Sequence, residues 1–307
     1  MASVVAAKPA AAPLSGDRAR SRRIVDRIAT ASLWTAASAV VAMLIAFVIY
    51  VFVQGYSAIS WHFLTGYPQS AVAGGGVGPE IFNSFYILLL TLCFTLPIAV
   101  LAGVFLQEYA GPGRFRDLVQ FSAESLATVP SIVMGLFGLI VFVQLFHWHF
   151  TALGGALTLT LLNLPAMMRV TQESLAGVPN TYREASIALG ATKWQSVLRA
   201  ILPSAIGPLT TGVVLVSGRI FGETAALIFT AGSSVSFGAS AYDFNPFHTA
   251  ETLAVHLYST QREALVPDAT QIANGSALVL LVMVLLFNVV ARIVGRQLTQ
   301  RFTGKAS

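Results

Sequence analysis

The chain has 307 residues, of which 55% are hydrophobic and only 10% charged. Soluble domains carry about 25% charged residues, so this composition excludes a soluble globular protein and points to an integral membrane protein. The net charge of +5 marks topology rather than nucleic-acid binding, and the single cysteine, Cys93, excludes a disulfide framework.

Residues 1–30 read as a polar arm, expected on the cytoplasmic side. Alanine and proline dominate up to Pro13, which predicts disorder. Arg18, Arg20, Arg22, Arg23 and Arg27 then crowd together. Ser21-Arg22-Arg23 resembles a twin-arginine export signal. The apolar run behind it, Ala31 to Val53, has the length of a span, about 20 residues, rather than that of a short signal core. A cytoplasmic anchor is therefore the expectation.

Six spans follow from the length rule, near 31–53, 82–106, 119–144, 153–172, 205–230 and 276–294. The predicted fold is all-α and polytopic, with a transmembrane domain over 31–294 and a cytoplasmic tail over 295–307. Pro97 and Pro130 mark expected kinks. With the N-terminus inside, and with Arg292 counted at the margin of the last, the inner segments hold fifteen of the 18 basic residues. The outer segments hold only Arg262, and Arg169 and Arg219 lie within spans. So lopsided a distribution fixes the orientation.

Between the first two spans, residues 54–81 carry aromatics suited to a membrane interface and a Gly74-Gly75-Gly76 hinge. Phe146-His147-Trp148-His149-Phe150 sits in a short outer turn. Its H-x-H pair has metal-ligand chemistry, but an interfacial aromatic cluster is the simpler reading. The outer segment 231–275 is long, and Glu251 to Leu265 inside it reads as an amphipathic helix. No metal or cofactor site is expected in this chain. It also lacks the nucleotide-binding sequence G-x-x-x-x-G-K-[ST], since Gly304-Lys305-Ala306 has neither the first glycine nor the hydroxyl. No enzymatic activity of its own is expected.

Two features carry the chemistry. The inner segment 173–204 predicts a short helix over Tyr182 to Leu189, a turn at Gly190 and a second helix over Lys193 to Ile201. Trp194, Val197, Leu198 and Ile201 are expected on one side of that second helix. Leu202-Pro203 then leads into a span. The other feature is Arg219 and Glu223, deep in the span 205–230. Spaced four apart on one helix, they would share a side. They read either as a structural intramembrane ion pair or as an anion site in which Glu223 holds a phosphate-matching guanidinium. Gly218 and Gly222 beside them would let a neighbouring helix approach closely. Arg169, near an inner boundary, either snorkels to the cytoplasm or faces a pathway, with Glu173 four residues on as its partner. Glu108, Asp117 and Glu124 read as solvated or interfacial.

The spacing of Glu184-Ala185-Ser186, Gly190 and Leu202-Pro203 resembles the loop by which membrane subunits of ATP-driven importers dock on their ATPases. Pro97-Ile98-Ala99, Leu106-Gln107-Glu108-Tyr109, Pro130-Ser131-Ile132-Val133-Met134-Gly135-Leu136-Phe137 and the run Arg219 to Thr230 complete a resemblance to A-type (PstA-like) permease subunits of phosphate importers of the ABC class. It covers roughly residues 25 to 300. Ser186, where alanine is common, and Asn83-Ser84, where two small residues are usual, depart from the pattern.

The resemblance implies a type I importer permease fold in a bacterial inner membrane and a C-type sister permease. It also implies two cytoplasmic ATPase subunits that carry ATP-Mg, and an extracytoplasmic phosphate-binding protein. Glu184, Ala185, Ser186, Gly190, Leu202 and Pro203 would couple to the ATPases, and Arg219, Glu223 and Arg169 would line the substrate path. The rival readings are a sulfate or molybdate importer and a lone ion-coupled carrier. The second predicts an inverted repeat that is not visible.

Overall fold

The computed structural model of the chain describes residues 16–69, 73–234, 241–263 and 267–303. All regular structure among them is helical. The chain divides after Val53 into two units. In the first, helix α1 (Gly16–Gly55) begins well before the expected span and takes in the arginine cluster. Leu33, Trp34, Leu44 and Phe47 are all exposed. Apolar residues on every side, exposed over residues 24–50, are what a helix in lipid requires.

The second unit begins with a short helix, α2 (Trp61–Thr65), and is built on α3 (Gly78–Val104) and α6 (Ala152–Ala176). These two pack along their length. Gly103 of α3 lies where a side chain would strike Thr171 at 2.6 Å, so the absent Cβ sets how closely the helices approach. Ile87 and Leu88 of α3 meet Leu159, Leu162 and Met167 of α6 in the main core. Both helices contain a proline, Pro97 and Pro165, and both continue through it.

Where one span was expected over 119–144, two helices stand. α4 (Arg114–Ala127) and α5 (Ser131–Gly138, continued by a π-helical stretch Leu139–Leu145) meet at 98°. Pro130 sits at the break, as its ring requires. The span expected over 205–230 is also broken. α10 (Ile206–Gly222) ends early, and α11 (Ala225–Ile228) follows as a separate turn. Gly135 of α5 packs against the Ala226 backbone of α11, with only 2.8 Å between its would-be Cβ and that Cα.

Between α6 and α10 lie three short helices, α7 (Asn180–Ala188), α8 (Lys193–Ser196) and α9 (Leu202–Ser204). The arm formed by α8 and α9 meets α10 at 68°. After α11 come α12 (Leu253–Glu263) and the long α13 (Ala269–Thr303). Leu265, expected to continue α12, lies outside the described residues. Among the described residues, four helices are long and apolar enough to cross a membrane, or up to six if each bent pair is one span.

Candidate functional site

α10 has two unlike sides. Gly212, Val216, Ile220 and Phe221 are buried. The Phe221 ring meets those of Phe85 and Phe287 at 5.4 and 5.6 Å. The opposite side carries Thr211, Leu215, Arg219 and Gly222, all exposed. A Cβ added at Gly207, Gly218 or Gly222 would meet nothing within 4 Å. The stripe expected to admit a neighbouring helix therefore meets no described part of this chain and lies open.

Arg219 and Glu223 do not share a helical side, which corrects the expectation drawn from their spacing. α10 stops at Gly222, and Glu223 is extended, with φ −74° and ψ 123°. Its Oε1 accepts from the Ala226 N–H at 3.4 Å, at the start of α11. That proton would otherwise be one of the orphan donors of a helix N-terminus. Among the described residues no carboxylate pairs with Arg219. Its charge lies in the last turn of α10, where the partial negative charge of the helix end favours a cation. The result is an exposed guanidinium on an open, small-residue face.

Arg169 does pair with Glu173, Nε to Oε1 at 3.0 Å, with both side chains about two-thirds exposed at 69% and 67%. The pair borders a cleft of about 450 Å³ together with Arg116 and Glu124. Glu173 also borders a larger cleft of about 800 Å³, whose far wall includes Thr211 and Leu215 of α10. Glu173 thus borders both clefts and faces the open side of α10 across the larger one, and Arg219 lies two turns beyond Thr211 along that side.

The segment 180–204 is built as a projecting knuckle. Gly190 has φ +84°, a conformation that favours glycine. The Gly190 N–H reaches the Ile187 carbonyl and the Ala191 N–H reaches the Ser186 carbonyl, so the turn closes the last carbonyls of α7. Thr192 and Gln195 then cap α8 reciprocally. Glu184, Ala185, Ile187, Leu189 and Gly190 are exposed, Leu189 at 89%. Ser186, Leu202 and Pro203 are half-buried. Trp194 and Leu198 do not join Val197 and Ile201 in the core, contrary to the predicted one-sided helix. A π-helical stretch over Val197–Ile201 changes the register and leaves both exposed.

The root of the knuckle was not legible in the sequence. Arg183 turns inward and meets Glu108 at 2.6 Å, with side chains 19% and 7% exposed. It also donates to the Leu175 and Val178 carbonyls at 2.8 Å each. Next to Glu108, the Tyr109 ring lies 5.0 Å from Lys193 Nζ. Glu108 is thus a buried ion-pair partner and not a solvated boundary residue. Both residues belong to a π-helical stretch, Phe105–Tyr109, that ends α3. A small apolar cluster of Val104, Leu175, Val178, Val197 and Ile201 seals the same joint.

At the Gly78 end of α3, Asn83 and Ser84 have a role that explains their departure from two small residues. Asn83 Nδ2 donates to the Glu251 carbonyl at 3.1 Å, and Ser84 Oγ accepts from the Leu253 N–H at 2.9 Å. They fasten the start of α12 to α3. Beside them, burial pushes the His256 imidazole down, but contact with Glu251 and the charges of Glu80 and Glu251 outweigh it, and its pKa stands above the ordinary value. His147 and His149 both have positive φ. Between them Trp148 stacks on Phe142 at 5.7 Å, the arrangement of an aromatic cluster.

Residues 95–304 match the family described as binding-protein-dependent transport system inner membrane component. Over 292 residues the chain is 41% identical to the probable ABC transporter permease protein YqgI of Bacillus subtilis (strain 168), covering 92% of this chain and 99% of that one. Over 240 residues it is 34% identical to the phosphate transport system permease protein PstA of Xylella fastidiosa (strain 9a5c), covering 78% and 81%. A solved bacterial ABC transporter involved in the import of the acidic polysaccharide alginate superposes with a TM-score of 0.58, over 90% of this chain and 99% of that chain. At 15% identity that likeness shows the fold alone.

Proposed function

This chain belongs to the inner membrane components of binding-protein-dependent transport systems, and from that premise we propose that it is the A-type permease subunit of an ATP-driven importer of inorganic phosphate. Membership in the family makes it a membrane-spanning ABC importer permease and removes the reading as a lone ion-coupled carrier. Phosphate is the finer step, and the likeness to PstA proteins supports it. The observation that carries it is Arg219. A permanently charged guanidinium with no carboxylate partner among the described residues, on an open face bordered by glycines, offers a fork of donors that fits tetrahedral oxyanions.

In this reading a C-type sister permease covers the open side of α10, and the substrate path runs between the two. Arg219 contacts phosphate on the way, and Glu173, paired with Arg169, borders the cleft farther along the same side. The 180–204 knuckle, with Glu184, Ala185 and Gly190 at its tip, docks on a cytoplasmic ATPase that binds ATP-Mg. Two such ATPases drive the pair, and an extracytoplasmic phosphate-binding protein delivers the ion. Both termini of this chain are then cytoplasmic, in a bacterial inner membrane.

Glu223 holds a helix end and does not balance Arg219, so the test separates the two residues. Phosphate uptake is measured per unit of membrane-inserted chain. Arg219→Lys keeps the charge but loses the fork, so uptake should fall at least about tenfold. Arg219→Gln should abolish it, and adding Glu223→Gln should restore nothing. Normal uptake in Arg219→Gln would overturn the assignment.

A further inference from the structure

Three ligand-type side chains meet in a buried cluster that the transport reading does not use. Glu80 stands in the first turn of α3. Glu251 lies just ahead of α12, and His256 lies in its first turn. Among the described residues they form the one group of three such side chains whose ligand atoms all lie within 4.8 Å of one another. All three are buried, and Glu80 has no exposed surface.

The distances decide what the group is built for. His256 Nδ1 is 3.6 Å from Glu80 Oε1 and 3.5 Å from Glu251 Oε1. Charge-assisted hydrogen bonds run at about 2.7–2.9 Å, so neither contact is one. Both carboxyl oxygens of Glu80 are buried with no hydrogen-bond partner. A native fold rarely leaves a buried carboxylate so. A tetrahedral shell with bonds of about 2.0–2.2 Å separates neighbouring ligand atoms by roughly 3.3–3.6 Å. Both distances from the imidazole fall in that range, and the third side of the triangle lies within 4.8 Å.

We propose that Glu80, Glu251 and His256 bind a divalent metal ion of the zinc class, which ties α12 to the Gly78 end of α3. Two carboxylates balance the charge of the ion, and a neutral imidazole supplies the third ligand, leaving the fourth position for water. The surrounding contacts orient the ligands. Ser259 Oγ donates to Glu251 Oε1 at 3.2 Å, and Thr260 Oγ1 lies 3.4 Å from His256 Nε2. Ser84 and Asn83 hold the backbone on either side of the gap. The site is structural, and it stands or falls apart from the identity of the transported ion.

The test uses the full chain in detergent without a polyhistidine tag. After equilibrium dialysis against zinc chloride, metal content should reach one zinc per chain. The double variant His147→Ala with His149→Ala should bind equally. Glu80→Gln and His256→Gln should weaken binding by more than the roughly 10–100-fold cost of losing a supporting contact alone. X-ray absorption on the zinc-loaded wild-type chain should show one imidazole among oxygen ligands, a readout that needs no variant to fold. A wild-type chain without stoichiometric zinc, a shell without imidazole, or undiminished binding in both triad variants would overturn the proposal.

Discussion

Arg183 and Glu108 show how much a single pair of residues can decide. Each looks ordinary in sequence, and 75 positions separate them. Folded, they form a short ion pair that is mostly out of solvent, and Arg183 also closes two backbone carbonyls at the end of α6. Removing one partner of a buried pair leaves an uncompensated charge and costs about 3–5 kcal/mol, whereas replacing both can be nearly neutral. Glu108→Gln should therefore lower the unfolding temperature of the detergent-solubilised chain clearly, and Arg183→Met combined with Glu108→Leu should recover most of it. Wild-type unfolding in the single variant would show that the pair does not hold the knuckle. Arg219 is the opposite case. Its position was legible, because an arginine deep in an apolar run stands out, but its surroundings were not. The apolar run continues through Glu223 to Thr230, and periodicity gives no sign that the helix stops at Gly222. Glu223 turns extended after that helix, and its carboxylate meets the donor end of the next one.

At the scale of elements, α10 is the helix whose two sides differ most in purpose. One side is packed so closely that Gly212 leaves no space before Val170. The other presents Gly207, Gly218 and Gly222 with nothing near them. A Cβ added there meets no described part of the chain. Gly218→Leu should thus insert in the membrane at the wild-type level, yet co-purification with the sister permease should fall, because a bulky side chain prevents close helix approach. Undiminished co-purification would mean that this face is not the covered one. The turn at Gly190 was readable from sequence because a glycine after a helix-forming run is a known stop. The loss of Trp194 and Leu198 from the core was not, since a π-helical stretch has no signature in apolar spacing.

For the whole molecule, composition and span length carried the class of fold, because about 20 apolar residues are a physical requirement of a bilayer. They could not show that two helix pairs bend sharply at a break, which depends on tertiary packing such as Gly135 on Ala226. Nor could they join Glu80 to Glu251 and His256, whose proximity exists only once α12 is fastened to α3. In the sequence only His147 and His149 had metal-ligand spacing, and they read as part of an aromatic cluster; the ligand-type groups that the structure brings together lie elsewhere. The account as a whole rests on what the assembly carries. The chain should be reconstituted in proteoliposomes with its sister permease, ATPases and binding protein, and ATP-driven uptake of radiolabelled phosphate measured against excess unlabelled phosphate, sulfate or molybdate. The account predicts uptake that requires ATP and is blocked by phosphate alone. Uptake of sulfate or molybdate in its place, with none of phosphate, would contradict it.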